Sequence, residues 1–431
     1  MSFLRGPGSA PEPFFPARLP APWTATAGNI SAYIIMLSLA KSSLKTFLGR
    51  DHFFALLVLL ACVGLGAMPT GFETGLYKDS IRAKALVLAT DDSKIHQFGI
   101  VRQGNQDLRI RIENSRFAGR ELDANNTIMG KLELDKVFRA GDTALVVLDT
   151  DPGTGEIVYA NVIDHYRLDS EAVLFSLFVV MLIAFSGWTG VKAVLSFVFT
   201  GLCLWKLLIP LMLRGISPIP LSLGIVTLLT SATCLLVGGL NRKGIVAFLG
   251  AFGGVVFTCL IALFFADSFH LNGAVRPFSE SLLYSGHAHL RLTDIFLAGI
   301  FLASSGALMD VSMDIAAAQE ELHAHNPALD WRQLCLAGFR IGRAVIGTMT
   351  TTLLLAYSGG YTTLLMVFTA QGIPLENLLN LSYVSTELFH TVIGSFGLIL
   401  VAPCTALFGG LIYGHPGLRK PGNPVTAPAT P

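Results

Sequence analysis

The sequence predicts an α-helical polytopic membrane protein of about eight transmembrane helices, with a small all-β extracytoplasmic domain inserted after the first helix. Hydrophobic residues make up 52% of the 431 positions and charged residues only 14%. A soluble domain carries about 25% charged residues. The apolar runs are concentrated in residues 53–70 and 172–413, whereas residues 71–168 contain short β-type runs bounded by turn formers.

The charge balance and the cysteines exclude several classes of protein. The chain has 30 basic and 29 acidic residues, a net charge of +1, so it lacks the basic excess of a nucleic-acid-binding protein. The six cysteines form no CxxC pair, and five of them lie in apolar runs. We therefore expect no zinc site, no disulfide framework and no cofactor.

Residues 1–52 are Pro-rich and then basic, which predicts a cytoplasmic N-terminal segment before the first span. The run FFALLVLLACVGLGAM within 53–70 resembles a signal sequence, but Leu65 and Ala67 make a poor cleavage site. We expect residues 53–70 to be an uncleaved signal anchor. The run LLAC ending at Cys62 loosely resembles a lipoprotein processing site, so cleavage and lipidation stay open.

Residues 71–168 are predicted to form the β domain. The expected strands are AKALVLA, DLRIRIEN, KLELDKV, TALVVLD and EIVYANVI, separated by the turn formers GNQD, DANN, RAGD and DPGTG. DLRIRIE alternates apolar and charged residues, as a half-buried strand does. No catalytic combination of residues occurs in this region.

Residues 172–413 are predicted to form a helical bundle of seven spans, followed by a disordered cytoplasmic tail at 414–431. The spans are expected at 172–188, 191–213, 217–238, 244–266, 293–309, 343–371 and 389–413. Most basic residues outside the β domain fall on one side of this arrangement, although Arg214, Arg276 and Arg291 do not. The positive-inside rule then predicts that both termini are cytoplasmic in a bacterial inner membrane.

The span Gly342–Ala370 is too long for one straight crossing and contains Ser358-Gly359-Gly360. Because each glycine weakens a helix by about 1 kcal/mol, the pair predicts a broken helix of the kind that binds solutes in transporters. The candidate polar site comprises Thr348, Thr350, Thr352, Gly359 and Gly360. The alternative is that the threonines bond back to their own helix and the glycines form a turn between two short helices.

Three charged residues near the membrane boundaries are candidates for a transport or ion site or for a structural ion pair. Asp310 lies where an apolar helix continues as an amphipathic one, and Arg343 begins the next span at the same depth. An Asp310–Arg343 pair would stabilise two helix ends, whereas an unpaired Asp310 could bind a proton or a cation. Glu387 opens the last span on the opposite side, where it could serve the chemistry or only favour a helix N-terminus.

Four runs make the chain resemble the YibE/F-like family of bacterial multipass membrane proteins. They are GLNRKGIVAFLGAFGGV, SSGALMDVSMDIAAAQEELHAHNP, GRAVIGTMTTTLLLAY and STELFHTVIGSFGLILVAPCTAL. The specific pattern, GRxxxGTMTxTLxLAY, falls on Gly342, Arg343, Gly347, Thr348, Met349, Thr350, Thr352, Leu353, Leu355, Ala356 and Tyr357. The resemblance implies a β region followed by a helical bundle from about residue 80. It also implies an acid at the position of Ala344 and an Asn at that of Thr351, which this chain lacks.

The resemblance defines an architecture but no biochemical activity. From the intramembrane polar residues, the first hypothesis is a transporter or permease for a small solute or ion. The alternative is a non-transporting scaffold or sensor whose β domain binds an envelope protein partner. The chain contains neither HExxH nor GxSxG, so we do not expect an enzyme. The expected partner is the lipid bilayer, with a homo-oligomer left open and no nucleic acid.

Overall fold

The computed structural model describes residues 50–72 and 80–414. The predictions for the basic N-terminal segment and the C-terminal tail therefore lie outside the described residues, apart from the ends of those segments. The described chain has two parts, a six-stranded β region at 80–165 and a set of long apolar helices. Both parts were expected, and the helices are compatible with a multipass membrane protein.

The long helices cover every predicted span. Within the described ranges, seven helices are long and apolar enough to cross a membrane. In chain order, the helices begin with α1 (Arg50–Ala67) and α2 (Leu168–Cys203). A π-helical segment (Leu204–Leu208) joins α2 to α3 (Ile209–Leu213). The remainder are α4 (Pro218–Gly238), α5 (Arg242–Ala266), α6 (Ser279–Tyr284), α7 (Leu292–His325), α8 (Trp331–Ala370), α9 (Leu375–Asn380) and α10 (Ser382–Gly414). The short helices α6 and α9 are not among the seven, and α2 and α3 together count as one.

That continuous run, Leu168–Leu213, folds back on itself at Gly187. Gly187 has φ 55° and ψ −130°, a backbone conformation that glycine adopts without a steric penalty. The Phe175 and Phe178 rings lie about 6 Å from the ring of Phe197. In a straight helix residues 19 positions apart would be about 28 Å apart, so these contacts require a hairpin. The two predicted spans 172–188 and 191–213 correspond to its two arms.

The β region is a closed barrel of five strands with one hairpin extension. Its strands are β1 (Ser80–Asp91), β2 (Ile95–Phe98), β3 (Val101–Ile112), β4 (Glu121–Met129), β5 (Thr143–Thr150) and β6 (Ile157–His165). The order β1-β5-β6-β4-β3 is closed by pairing between β1 and β3, and β2 extends β3. The β4–β6 pair is parallel and the others are antiparallel. This is a five-stranded Greek-key barrel of the kind seen in the OB fold.

Two of the predicted turns and one predicted strand are wrong. The DANN run lies within β4 and the GNQD run within β3, whereas KLELDKV forms turns. The Asn126 Nδ2 group donates to Gln106 Oε1 at 3.1 Å and to the Lys136 carbonyl at 2.7 Å, so both of its donors are satisfied in the barrel interior. The Asp135 carboxylate accepts from the backbone N–H groups of Met129 and Lys131, which favours a turn in KLELDKV.

The barrel is joined to the helices through Lys84. Its ammonium lies 2.9 Å from Asp169 at the start of α2 and 3.1 Å from Glu113. The hydrogen bond to Asp169, followed by that to Glu113, raises the pKa of Lys84. The first turn of α2 therefore has a defined attachment to the side of the barrel.

Helix α7 lies at the centre of the helical core. Its side chains Leu308, Val311 and Ile315, which lie on one face of the helix, are fully buried. Helices α5 and α10 approach it closely because glycines replace larger side chains. A Cβ added at Gly254 would lie 2.8 Å from Leu308, and one added at Gly397 would overlap the Thr258 hydroxyl. Small residues at such crossings are typical of membrane helix packing.

Candidate functional site

A cluster of charged and polar side chains lies where the loop after α5 meets α7, α8 and α10. Arg276 Nη1 is 2.6 Å from Glu387 Oε1, and Arg276 Nη2 is 3.2 Å from His390 Nδ1. The Arg276 and Glu387 side chains are 35% and 19% exposed. A partly buried ion pair of this kind costs desolvation, so both of its members need close partners.

The local sequence holds Arg276 in place. A short 3-10 turn, Gly273–Val275, precedes it, and the Asn272 side chain accepts from the Ala274 N–H. Any Cβ at Gly273 would collide with the Leu292 backbone, so the glycine lets this loop lie against the start of α7. Pro277 restricts the preceding residue to extended geometry, and Arg276 has φ −77° and ψ 143°. Its guanidinium also lies 5.0 Å from the Phe296 ring.

Glu387 and His390 are three positions apart on α10 and therefore lie on one face of the helix. Their closest approach is 3.8 Å, between Glu387 Oε2 and His390 Nδ1. A guanidinium only donates hydrogen bonds, so His390 Nδ1 accepts from Arg276 and the ring proton lies on Nε2. The tautomer of His390 thus follows from its contact with Arg276.

Tyr357 of α8 completes this cluster. Its ring centroid lies 4.4 Å from that of His390. Gly394 leaves the space, since an added Cβ would lie 3.4 Å from the Tyr357 hydroxyl. The Tyr357 Oη and His390 Nε2 atoms are both buried and have no hydrogen-bond partner among the described residues. Buried polar atoms without partners are uncommon and call for a functional explanation.

A cavity of about 320 Å³ opens beside the cluster. Arg276 and His390 line it together with the apolar side chains of Leu282, Ile295 and Phe296. Its volume is at the small end of the range for ligand sites, and it combines apolar walls with one cationic group. Such a site suits a small molecule or ion that has to be bound reversibly.

The predicted pairing of Asp310 with Arg343 is wrong. Both residues are exposed, and no ion pair joins them in the part of the chain that the structure describes. Gly342 faces Ile315 and Ala402, at a close approach between helices. Arg343 follows by one position and is therefore rotated about 100° away from that contact.

The predicted break at Gly359 and Gly360 is wrong as well, because α8 is continuous from Trp331 to Ala370. The hydroxyls of Thr348, Thr350 and Thr352 bond back to carbonyls of their own helix, as the alternative interpretation expected. The expected turn at the two glycines is nevertheless absent from the described helix. Breaking a helix in lipid leaves backbone groups unsatisfied at several kcal/mol each, which exceeds the cost of two glycines.

Of the sequence candidates, the structure places only Glu387 in the cluster, along with Tyr357 from the family pattern. Arg276 and His390 were not identified from the sequence as site residues. The Glu-x-x-His spacing at 387–390 was the signal for His390, since it puts two ionisable side chains on one helix face. Arg276 had no comparable signal, because it lies 111 positions before Glu387.

The described residues contain no group of three or more His, Cys, Asp or Glu side chains arranged to hold a metal ion. His287 and His289 are adjacent in space, with ring centroids 5.9 Å apart. His289 Nε2 is 3.3 Å from the Leu213 carbonyl. His289 therefore links the loop before α7 to the end of α3.

Comparison with known proteins identifies the helical part. Residues 174–415 match the family model described as YibE/F-like protein. The match leaves out the β barrel, so the family resemblance begins later than the expected residue 80. No curated protein and no solved structure matches the chain. Because the match covers more than half of the sequence and includes Glu387, His390, Arg276 and Tyr357, this chain belongs to the YibE/F-like protein family.

Proposed function

We propose that this YibE/F-like protein is a transporter or permease for a small solute or ion, and that protons bound near Glu387 drive the transport. The Arg276–Glu387–His390 cluster carries the proposal. Ionisable side chains inside helical membrane bundles are costly, and they typically mark ion, proton or substrate pathways. The cavity beside the cluster supplies a volume in which a solute could bind next to these groups.

The proton-binding step uses groups that are already in contact. Glu387 Oε2 lies 3.8 Å from His390 Nδ1, so after protonation a small rotation lets the Glu387 hydroxyl donate to Nδ1 in place of Arg276. Protonation of Glu387 removes the negative charge that faces Arg276. The guanidinium then loses its partner, which couples the protonation state to the position of Arg276.

Uptake by the purified protein in sealed vesicles tests the proposal. A panel of radiolabelled small solutes is supplied with an imposed proton gradient, with a sodium gradient and with neither. We expect uptake of at least one solute to follow the proton gradient and to be lost in Glu387→Gln. Glu376→Gln is the matched control, because Glu376 is an exposed acid at the start of the neighbouring helix α9. Equal uptake by wild type and Glu387→Gln would exclude proton coupling through Glu387.

We also propose that the chain resides in the bacterial inner membrane with both termini in the cytoplasm. The positions of the basic residues support this orientation. Reporter fusions after Arg120 should register outside, whereas fusions after His325 should register inside. A periplasmic signal at His325 would contradict the orientation.

A second candidate function is that of a scaffold or sensor that binds an envelope protein through the barrel. The observation in its favour is an open groove of about 560 Å³ across β1, β3, β4 and β6. Asp107, Arg109, Asp123, Asn125 and Tyr159 line it. A photoreactive residue at Tyr159 should crosslink an envelope protein in cells, whereas one at the exposed Ile100 should not. Equal crosslinking at the two positions would count against a specific partner.

A further inference from the structure

The cavity beside Arg276 has one charged wall and several apolar ones. Its apolar lining includes Leu282, Leu292, Ile295 and Ile300, and its cationic group is the Arg276 guanidinium. A ligand that complements both surfaces has an apolar body and a single anionic end. The volume of about 320 Å³ limits it to a small molecule.

The donors at this wall suit a carboxylate. Arg276 presents a planar set of N–H groups that binds carboxylates in pairs of hydrogen bonds. His390 lines the same cavity, and its Nε2–H is buried without a hydrogen-bond partner among the described residues. In the structure the guanidinium already pairs with one carboxylate, that of Glu387, with 2.6 Å between Arg276 Nη1 and Glu387 Oε1.

Glu387 is the acid that pairs with Arg276 among the described residues. The ionisable side chains in contact with Glu387 are Arg276, at 2.6 Å, and His390, at 3.8 Å. From α7, Asp294 pairs with Arg291 at 3.2 Å, and from α8 the uncharged Tyr357 ring lies against His390. Helix α5 carries no charged residue between Lys243 and Ala266. The charge on Arg276 is therefore balanced by Glu387 or by a bound anion.

We propose that the cavity binds a small monocarboxylate with an apolar body, and that this anion replaces Glu387 as the partner of Arg276 when Glu387 takes up a proton. The proposal rests on the proposed transport function and names its substrate class. One proton and one anion then bind together, with no net change of charge. The shared chemistry, a carboxylate on an apolar chain, could come from a short free acid or from a fatty acid of the bilayer.

Benzoate binding to the purified full-length protein in detergent tests the proposal. Benzamide is the neutral control and laurate represents the fatty acid. We expect benzoate to bind more tightly at mildly acidic than at mildly alkaline pH, with affinity falling about tenfold per pH unit once Glu387 is ionised. In weakly buffered solution, one proton should be taken up for each benzoate bound. Benzamide should bind at least about tenfold more weakly than benzoate, because it carries no charge.

Two variants separate the parts of the proposal. Glu387→Gln should bind benzoate at all pH values without proton uptake, because the neutral amide mimics the protonated acid. Arg276→Gln should lose benzoate binding, and Arg291→Gln should bind like wild type. If melting shows that Arg276→Gln is unfolded, Arg276→Lys replaces it, and we expect weaker benzoate binding because the planar set of donors is lost.

The outcomes also separate this proposal from the proposed function. Equal binding of benzoate and benzamide, or pH-independent binding to wild type, would overturn the exchange of partners at Arg276. Binding of laurate without benzoate would identify the bilayer as the source and overturn the free-acid substrate. Proton-driven uptake of another solute, with no benzoate binding, would overturn the monocarboxylate substrate but support the transport function. Proton-linked benzoate binding without uptake in vesicles would contradict the transport function but support the carboxylate-binding site.

Discussion

Arg276 Nη1 lies 2.6 Å from Glu387 Oε1, and this contact joins two segments that are 111 positions apart in the chain. It brings the loop after α5 to the start of α10, next to the ring of His390. The contact is thus both a link between segments and the charged wall of the cavity. Its energetic and functional roles can be separated by substitution.

Loss of either partner of this pair should destabilise the protein. Arg276→Gln or Glu387→Gln leaves one charge without its partner in a site that is only partly solvated. We expect a loss of about 1–3 kcal/mol in the free energy of unfolding, between the values for exposed and buried pairs. Thermal melting in detergent measures it. Arg291→Gln is the control, because the Arg291 side chain is 79% exposed in its pair with Asp294. Its loss should lower the free energy of unfolding by at most about 1 kcal/mol.

Asp310 and Arg343 should behave as independent surface residues. Because both are exposed and do not pair, Asp310→Asn and Arg343→Gln should each change stability by less than about 0.5 kcal/mol. The charge swap Asp310→Arg with Arg343→Asp should show no coupling beyond the sum of its single changes. Clear destabilisation by both single variants, with recovery in the swap, would restore the ion pair that the sequence suggested.

The two glycines in the middle of α8 should tolerate alanine. A Cβ added at Gly359 or at Gly360 would have no heavy atom within 4 Å other than those of its own helix. Alanine should therefore raise stability by about 0.5–1 kcal/mol at each position, as in an ordinary helix interior. At Gly342 the added Cβ would lie 2.7 Å from Ala402, so Gly342→Ala should melt lower than wild type. A large loss of stability on substituting Gly359 or Gly360 would indicate a hinge at this point.

The β barrel should fold without the helices. Its core of buried residues comes entirely from positions 83–162, so a fragment of residues 80–165 should give a β-type circular dichroism spectrum and unfold cooperatively. Asn126→Ala should cost the fragment about 1–3 kcal/mol, because it removes donors from the buried Gln106 and Lys136 acceptors. Thr127→Ala, at an exposed neighbour in the same strand, is the control.

The same fragment should lose stability in acid. Hydrogen bonds from the Ser93 backbone, from Arg111 and from the Thr154 hydroxyl lower the pKa values of Asp91, Glu121 and Asp151, respectively. Folded pKa values below the unfolded ones mean that the unfolded chain binds more protons. Stability is therefore complete above the unfolded values of 3.8 for Asp and 4.5 for Glu and falls as the pH decreases below them. Urea titrations across this range test the direction, and a rise in stability towards acid pH would contradict it.

The long elements could be predicted from the sequence because their signals are local. Every apolar span corresponds to a helix, and the alternation in DLRIRIE corresponds to β3. Strand β4 was missed because DANN has the composition of a turn. Its strand geometry depends on Asn126 meeting Gln106 from another strand, a contact 20 positions away that no local pattern reveals.

The candidate site was predicted only in part for a similar reason. Glu387 was identified as an acid within an apolar run, but its partner Arg276 follows a short loop that resembles any surface turn. The threonines and glycines of α8 were attractive candidates because polar and flexible residues stand out in an apolar span. In a low-dielectric surrounding those hydroxyls are satisfied by their own helix, which a composition argument cannot distinguish from a binding site.

The reversal at Gly187 determines how many times the run Leu168–Leu213 can cross a bilayer. As a straight rod, the 46 residues of Leu168–Leu213 would extend about 69 Å, roughly twice the thickness of a bilayer. In the proposed membrane arrangement, the hairpin crosses the bilayer twice and returns the chain to the compartment that it left. The same arrangement puts the Greek-key barrel and the loop that carries Arg276 in one compartment, since two further proposed crossings, α4 and α5, separate the hairpin from that loop. The groove of the barrel and the cavity beside Arg276 are then open to the same solution.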